Sequence, residues 1–193
     1  KIEMMKKIPL TVVKIGGNIL DNEERLKAFL ADFAALSGAK VLVHGGGKLA
    51  TQLAERLGIP QQMVEGRRIT GLETLHIATM VYGGLINKQI VAQLQACNCP
   101  ALGVCGADGD LLRAHKRQDP AIDYGWVGDV DTVNIALLDR WIGQGLTPIV
   151  APLTHDGAGQ LLNTNADTIA QEIAQAMSTA FAVQLIFSFE KSG

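Results

Sequence analysis

Two hydrophobic segments of the sequence each run into glycines beside a lysine, and this combination suits the binding of an anion. In VVKIGGN, Lys14 stands just before Gly16 and Gly17, and in VLVHGGGK a run of three glycines comes directly before Lys48. A glycine lets a ligand approach the backbone N–H groups because no Cβ stands in the way. Where a helix follows, its free N–H groups and its dipole favour a phosphate or a carboxylate. We therefore predict two anion-binding loops that face one another.

The second loop does not match the common nucleotide-binding motifs well. Leu42 occupies the position at which a Walker A loop needs its first glycine. Gly45, Gly47 and Ala50 match a degenerate dinucleotide fingerprint, but the turn-rich segment 58–70 replaces the strand that should follow. A nicotinamide-dependent enzyme is therefore a distant alternative.

Several polar side chains are candidates for the same site. Lys14 stands at the end of an apolar strand, and its ammonium group could act as a point charge placed over a phosphate group. Arg68, in EGRRITG, carries a fork of donors suited to a carboxylate or a phosphate. In LLNTNADTIA we expect Asn165 to cap the following helix, which leaves Asn163 and Asp167 for binding a ligand or for holding a lysine or a metal.

The motifs of other enzyme classes are missing from the sequence. It contains no Gly-x-Ser-x-Gly elbow, no H-E-x-x-H and no set of Cys and His residues at metal-binding spacing. His44, beside the glycines, is a candidate for orienting the loop rather than for catalysis. These features favour a phosphoryl transfer that works by positioning and positive charge.

The pattern of hydrophobic segments predicts the elements that would position these residues. We predict strands at 10–15, 40–44, 100–106, 146–153 and 181–189, alternating with helices at about 22–36, 48–57, 72–95, 134–143 and 166–178. The strands are apolar on both faces, which is typical of a sheet covered by helices on both sides. The sequence thus predicts an α/β three-layer sandwich with a central, mostly parallel sheet.

Two segments interrupt this alternation, and one helix needs more than one partner. Segments 58–70 and 108–133 are rich in turn residues and predict β-hairpin excursions over the substrate site, above the carboxyl ends of the strands. The helix predicted at 72–95 is apolar on more than one face. It is therefore either a central core helix or the contact of a homodimer, in which it would cross its own copy.

Composition limits the classes of function. The chain has 193 residues, 48% of them hydrophobic, which is typical of one domain. Its net charge of −2 shows no excess of positive charge that would indicate nucleic-acid binding. No apolar run reaches the ~18 residues of a membrane span. Three cysteines without a secretory signal predict a reduced, cytoplasmic protein, and their spacing fits no usual zinc site, so we predict no protein-bound metal.

The motifs taken together resemble the amino acid kinase family, and within it the members that phosphorylate N-acyl-glutamates. The resemblance extends from VVKIGGN through VLVHGGGK, EGRRITG, GADGDLLRAHK and YGWVGDV to IVAPLTHDGAGQLLNTNADTIA, in the same order and spacing. It implies that ATP, with Mg²⁺ carried on the nucleotide, phosphorylates the γ-carboxylate of N-acetyl-L-glutamate, or of another N-acyl-glutamate, in arginine biosynthesis. The implied roles are catalysis for Lys14 and Asp167, substrate binding for Gly45, Gly46, Arg68 and Asn163, and nucleotide phosphate binding for Gly16 and Gly17.

The sequence departs from the family at its C-terminal end. It finishes in SFEKSG, where the family has a threonine–aspartate–valine–proline–glycine loop and continues to a second catalytic lysine and much of the adenine pocket. We therefore expect residues 1–193 to be the acylglutamate-binding half of an amino acid kinase domain plus the start of its nucleotide-binding part. Such a fragment should have negligible kinase activity, and robust turnover would contradict this expectation.

Other functions remain open from the sequence. One is another small-molecule kinase of the same family, of the aspartate or carbamate kinase type, although EGRRIT and NTNAD favour the acylglutamate type. The other is a non-catalytic ligand-sensing domain, against which the retention of Lys14 argues. The sequence does not distinguish an acetyl from a succinyl or other acyl substrate.

Overall fold

The computed structural model of the chain describes residues 7–64 and 67–188, apart from the side chain of Arg67. The N-terminal residues 1–6 and most of the divergent SFEKSG segment, residues 189–193, lie outside the described residues.

A five-stranded parallel sheet forms the centre of the molecule. Its strands are β1 (Ile8–Ile15), β2 (Ala39–His44), β5 (Ala101–Val104), β8 (Thr147–Val150) and β11 (Phe181–Ser188). They lie in the order β11-β1-β2-β8-β5, and every neighbouring pair is parallel. All five strands predicted from the sequence are present, and their carboxyl ends meet at one edge of the sheet. The strand predicted at 146–153 ends at Val150, because Leu153 begins a strand of a second sheet, and residue 189 of the last predicted strand lies outside the described residues.

Helices cover both faces of this sheet. The helices of the described residues are α1 (Gly17–Leu20), α2 (Glu23–Ala35), α3 (Gly47–Arg56), α4 (Leu72–Ala78), α5 (Asn87–Ala96), α6 (Ile135–Gly143) and α7 (Ala166–Met177), with a short 3₁₀ turn at Asp108–Asp110. On one face Leu30 and Ile90 pack against Leu42 of the sheet, and on the other Leu138 and Ile173 pack against Val43. The predicted three-layer sandwich is confirmed.

The long helix predicted at 72–95 is continuous, but its middle turns are wound differently. A π-helical segment, Thr79–Ile86, joins α4 to α5. In such a segment the backbone bonds connect residues five apart, which shifts the faces that the side chains present. The hydrophobic pattern of the sequence does not predict this change, because every residue of the segment is compatible with an ordinary α-helix.

The two predicted excursions are hairpins placed beside the strand ends. In the first, β3 (Met63–Val64) pairs with β4 (Arg67–Arg68). The second belongs to a small mixed sheet of β10 (Leu161–Asn163), β9 (Leu153–His155), β6 (Leu112–Lys116) and β7 (Gly128–Val133), in that order. No helix of residues 7–64 and 67–188 has both the length and the apolar character that crossing a membrane requires.

Candidate active site

The eight residues predicted to form a site line one cleft at the carboxyl edge of the central sheet. The cleft has a volume of about 250 Å³, just below the range of pockets for drug-sized ligands. Its walls contain Lys14, Gly16, Gly17, Gly45, Gly46, Arg68, Asn163 and Asp167. The structure therefore brings together every predicted site residue, although it does not by itself assign a role to any of them.

Lys14 and Asp167 form an ion pair at the floor of the cleft. Lys14 stands near the end of β1, and its Nζ lies 2.7 Å from the Oδ1 of Asp167 in the first turn of α7. Asn165 caps that helix, as predicted, because its Oδ1 accepts from the backbone N–H groups of Asp167 and Thr168 at 2.8 and 3.1 Å. The cap and the ion pair together fix where the ammonium group sits.

The first glycine loop lies directly over this lysine. A Cβ placed on Gly16 would lie 3.4 Å from the Nζ of Lys14, which is ordinary contact distance, so the loop lies against the ammonium group. The loop is joined to the second one by a hydrogen bond, since the N–H of Gly45 donates to the carbonyl of Ile15 at 3.1 Å. The two loops thus lie side by side, at the ends of neighbouring strands.

The second glycine loop has a conformation that only glycine tolerates. Gly46 has φ 146° and ψ 16° and is the N-cap residue of α3. A Cβ at this position would lie 2.3 Å from the Cδ1 of Ile86 and 3.1 Å from the ring of Tyr82. Burial raises the pKa of the Tyr82 hydroxyl, and the charge of Arg68 acts against that rise. Tyr82 also lines the cleft, a contribution that the sequence did not indicate.

Arg68 is held by residues from two other elements. One Nη1–H bonds to the Oε1 of Gln61, and Nη2 donates to the carbonyl of Gly47 and to the Oγ1 of Thr51, both at 2.8 Å. The residue is 9% exposed. A guanidinium group has five N–H donors, and Arg68 also forms a hydrogen bond with the Tyr82 hydroxyl, so most of its donors are used by the protein.

Asn163 is connected by hydrogen bonds to Thr70, just after the Arg68 hairpin, and to the segment around Trp126. The Nδ2 of Asn163 donates to the Oγ1 of Thr70 at 3.0 Å, and its backbone N–H donates to the carbonyl of Trp126 at 2.9 Å. The backbone N–H of Trp126 in turn donates to the carbonyl of Thr70 at 2.7 Å. Gly125, at φ 70°, permits this contact, because a Cβ there would lie 2.3 Å from the Thr70 carbonyl oxygen.

Within the described part of the chain, no group of three or more His, Cys, Asp or Glu side chains is arranged to hold a metal ion. The thiols of Cys97, Cys99 and Cys105 are all free. Burial raises the pKa of Cys105 to about 11, so this thiol is protonated at neutral pH and is a poor nucleophile.

This combination of fold and site defines a class of protein. A parallel α/β domain whose cleft joins glycine backbone amides to an ion-paired lysine and an arginine is suited to handling phosphate and carboxylate groups, as kinases do. A sequence profile described as the amino acid kinase family matches residues 9–181. The chain belongs to the amino acid kinase family.

Relatives within the family point to one of its branches. The chain is 57% identical over 185 residues to an acetylglutamate kinase of Cytophaga hutchinsonii, a match that covers 95% of this chain and 70% of that protein. It is 56% identical over 191 residues to an acetylglutamate kinase of Bacteroides fragilis, covering 99% of this chain and 73% of the relative.

A solved structure shows the same fold at greater distance. The N-acetylglutamate synthase of Neisseria gonorrhoeae, solved with coenzyme A and N-acetyl-glutamate, superposes with a TM-score of 0.81. The sequence identity is 23%, and the match covers 98% of this chain and 43% of the synthase. At that identity the likeness shows the fold alone.

Proposed function

We propose that this chain serves an ATP-dependent kinase that phosphorylates the γ-carboxylate of N-acetyl-L-glutamate, or of another N-acyl-glutamate, in arginine biosynthesis. The observation that carries the proposal is the meeting of the Lys14–Asp167 pair, both glycine loops, Arg68 and Asn163 in one cleft. The names of the relatives at 56% and 57% identity support the same substrate.

The reaction needs positive charge more than it needs a base. A glutamate side-chain carboxylate, with a pKa of about 4.3, is already ionised at neutral pH. One of its oxygens attacks the γ-phosphorus of ATP, a new O–P bond forms, the bond from the β–γ bridging oxygen breaks, and ADP leaves. The barrier comes from repulsion between two anions and from charge on the bridging oxygen. The ammonium group of Lys14 and the N–H groups at Gly16 and Gly17 would relieve both, and Asp167 would hold the lysine in place.

The opposite end of the cleft would hold the substrate. The positive charge of Arg68 suits the α-carboxylate, and the amide of Asn163 suits the polar atoms of the acyl-amide group. Gly45 and Gly46 would approach the γ-carboxylate from the side of α3. We assign Mg²⁺ to the nucleotide, as part of the MgATP substrate, where it would neutralise phosphate charge.

We further propose that residues 1–193 supply the acylglutamate half of an amino acid kinase domain and the start of its nucleotide-binding part. The proposal rests on the resemblance of the motifs. A cytoplasmic location is part of the same proposal, and the free thiols at Cys97, Cys99 and Cys105 support it.

Calorimetric titration tests the proposed substrate. We expect the chain to bind N-acetyl-L-glutamate, and N-succinyl-L-glutamate serves as a second probe for the acyl group. Binding of L-aspartate or of carbamoyl phosphate in preference to both would favour another small-molecule kinase. Trapping of acyl phosphate with hydroxylamine in the presence of MgATP measures turnover. Robust trapping would support the activity, whereas no binding of any acyl-glutamate would overturn it.

We also propose a homodimer that forms through the continuous helix from α4 to α5. Large apolar side chains stand exposed along it, with Leu72 at 53%, Met80 at 55% and Leu85 at 47%, and a second copy of the helix would cover them. Sedimentation equilibrium tests this. Met80→Glu should shift the protein to monomer, whereas Leu57→Glu, at a residue equally exposed on α3's end, should not. A monomeric wild-type protein would refute the dimer.

A further inference from the structure

A buried chain of hydrogen bonds begins at the carbonyl group of Gly45 and runs behind the second glycine loop. The Nδ1 of His44 lies 2.8 Å from that carbonyl oxygen, and its Nε2 lies 3.2 Å from the Nδ2 of Asn87. Asn87 also donates to the carbonyl of Ile149 at 2.9 Å. His44 is 0% and Asn87 1% exposed. The loop is thereby connected to β8 through two fully buried side chains.

The partners of His44 define which of its nitrogens carries the proton. A carbonyl oxygen can only accept, so the Nδ1 facing Gly45 must be protonated. The ammonium of Lys88 donates to the Oδ1 of Asn87 at 3.0 Å, which turns the Nδ2 of Asn87 toward His44 as a donor to Nε2. Burial lowers the pKa of His44 to about 4, and the positive charge of Lys88 lowers it further. The hydrogen bond to the Gly45 carbonyl raises the pKa, but by less than burial lowers it. The ring is therefore neutral at pH 7, in the Nδ1–H form.

The carbonyl group that His44 holds shares a peptide unit with the N–H of Gly46. The described residues contain no cis peptide bond, and in a planar trans peptide the C=O and the N–H point in opposite directions. With the Gly45 carbonyl turned toward the buried imidazole, the Gly46 N–H must point away from it. Gly46 lines the cleft, and within the described residues its N–H has no protein acceptor.

The backbone conformation of Gly46 needs an outside contact to keep it. Its φ of 146° lies outside the regions that other residues adopt. A glycine permits this backbone conformation but does not favour it over the others that are open to it. Free glycine populates many conformations, so the loop needs an outside contact to keep one of them. The buried bond from His44 supplies such a contact.

We propose that His44 is a positioning residue for the reaction: by holding the Gly45 carbonyl, it aims the Gly46 N–H into the cleft as a fixed donor to an anionic oxygen of the acyl-glutamate. The proposal rests on the function proposed above for the identity of the ligand, but not for the geometry of the loop. Asn87 supports the arrangement by keeping His44 in the tautomer that can donate to Gly45.

Two substitutions of His44 separate this role from simple packing. In His44→Asn the side-chain Nδ2 reaches the place of the imidazole Nδ1, so a donor to Gly45 is retained. His44→Leu has a similar shape near the backbone but no donor. Both lose the contact with Asn87, so the cost of that loss is common to the pair and cancels in the comparison.

The first measurements need no ligand. Long-range ¹H–¹⁵N spectra of the wild-type chain report the tautomer, and residual dipolar couplings report the direction of the Gly46 N–H. We expect the Nδ1–H form, a Gly46 N–H direction preserved in His44→Asn, and an altered or averaged direction in His44→Leu. An Nε2–H tautomer in the wild type, or an unchanged Gly46 direction in His44→Leu, would overturn the proposal. The wild-type tautomer shows whether His44 can donate to the Gly45 carbonyl, even if a variant fails to fold.

The second measurement is the calorimetric affinity for N-acetyl-L-glutamate. We expect a loss of about tenfold or more in His44→Leu, the usual effect of one displaced donor to a charged group, and recovery to within about threefold in His44→Asn. Equal losses in both variants would refute positioning by this bond. If the wild-type chain binds no N-acetyl-L-glutamate, the proposed function fails, and the tautomer and couplings still decide the role of His44.

Discussion

The Nζ of Lys14 lies 2.7 Å from the Oδ1 of Asp167, which joins the end of the first strand to the start of the last described helix. The side chain of Lys14 is 13% exposed and that of Asp167 44%. The cleft floor therefore contains a positive charge together with the negative charge that balances it. In the proposed reaction, an arriving phosphate would compete with Asp167 for the ammonium group.

This pairing predicts an asymmetric double-mutant cycle for MgATP binding. In Lys14→Met the carboxylate of Asp167 stays behind uncompensated and repels the phosphates, so we expect affinity to fall about tenfold or more. In Asp167→Asn the ammonium group remains, so affinity should stay within a few fold of wild type. The double variant should bind MgATP better than Lys14→Met alone.

Calorimetric titration of the four proteins checks the cycle, with Lys27→Met, an exposed lysine on α2, as the matched control. Losses that simply add in the double variant would show that the two side chains do not act as a pair.

The second loop predicts a strong effect of a single added methyl group. In Gly46→Ala the Cβ would meet the Cδ1 of Ile86 at 2.3 Å, in a backbone region hostile to alanine. We expect destabilisation by about 2 kcal/mol or more, measured by urea unfolding, and loss of acyl-glutamate binding. Gly71→Ala, where no atom lies within 4 Å of the added Cβ, should change little. A Gly46→Ala protein as stable as Gly71→Ala would contradict this account of the loop.

Lys40 offers a contrasting case of a buried lysine with a structural role. Its Nζ donates to the carbonyl groups of Phe33, Ala34 and Leu36 at 2.9, 2.8 and 2.7 Å, so all three of its protons are used at the end of α2. Removing it leaves three helix-terminal carbonyls without this partner. We expect Lys40→Met to lower the free energy of unfolding by about 1–3 kcal/mol without changing the affinity for MgATP. A loss of affinity at unchanged stability would reverse the assignment.

The strands, the helices and eight of the residues that line the cleft could be predicted from local patterns and from the family resemblance of the motifs. Glycines at the ends of apolar strands and the cap at Asn165 are visible in the order of the residues. Parallel strands then place their carboxyl ends at one edge, which accounts for the meeting of Lys14 with the glycines that follow β1 and β2. Asp167 reaches the same edge because α7, which follows β10 of the small sheet, packs against β1.

The remaining contacts could not be predicted, because they depend on tertiary packing. The π-helical turns decide that Tyr82 faces Gly46, and nothing in the sequence between 79 and 86 distinguishes them from α-helix. Arg68 reaches Gly47 and Thr51 because the first hairpin packs against α3. The bond between His44 and Asn87 joins two elements whose facing sides no sequence pattern reveals.

The buried His44 predicts how stability depends on pH. Its pKa of about 4 in the folded chain lies below the usual 6.5, so below about pH 6.5 the unfolded state binds this proton and the folded state does not. The free energy of unfolding should therefore fall as the pH decreases from 6.5 to 4, by roughly 3 kcal/mol at full extent from this one group. Above pH 6.5 the group contributes no pH dependence.

Urea unfolding at a series of pH values measures this effect as a difference between proteins, because carboxylates titrate in the same range and cancel. His44→Asn should show a shallower loss between pH 6.5 and 4 than the wild type. His76→Asn, at an exposed histidine on α4, should keep the wild-type slope. Parallel curves for wild type and His44→Asn would mean that His44 takes up its proton in the folded chain. The buried bond to Gly45 would then have a charged donor rather than a neutral one.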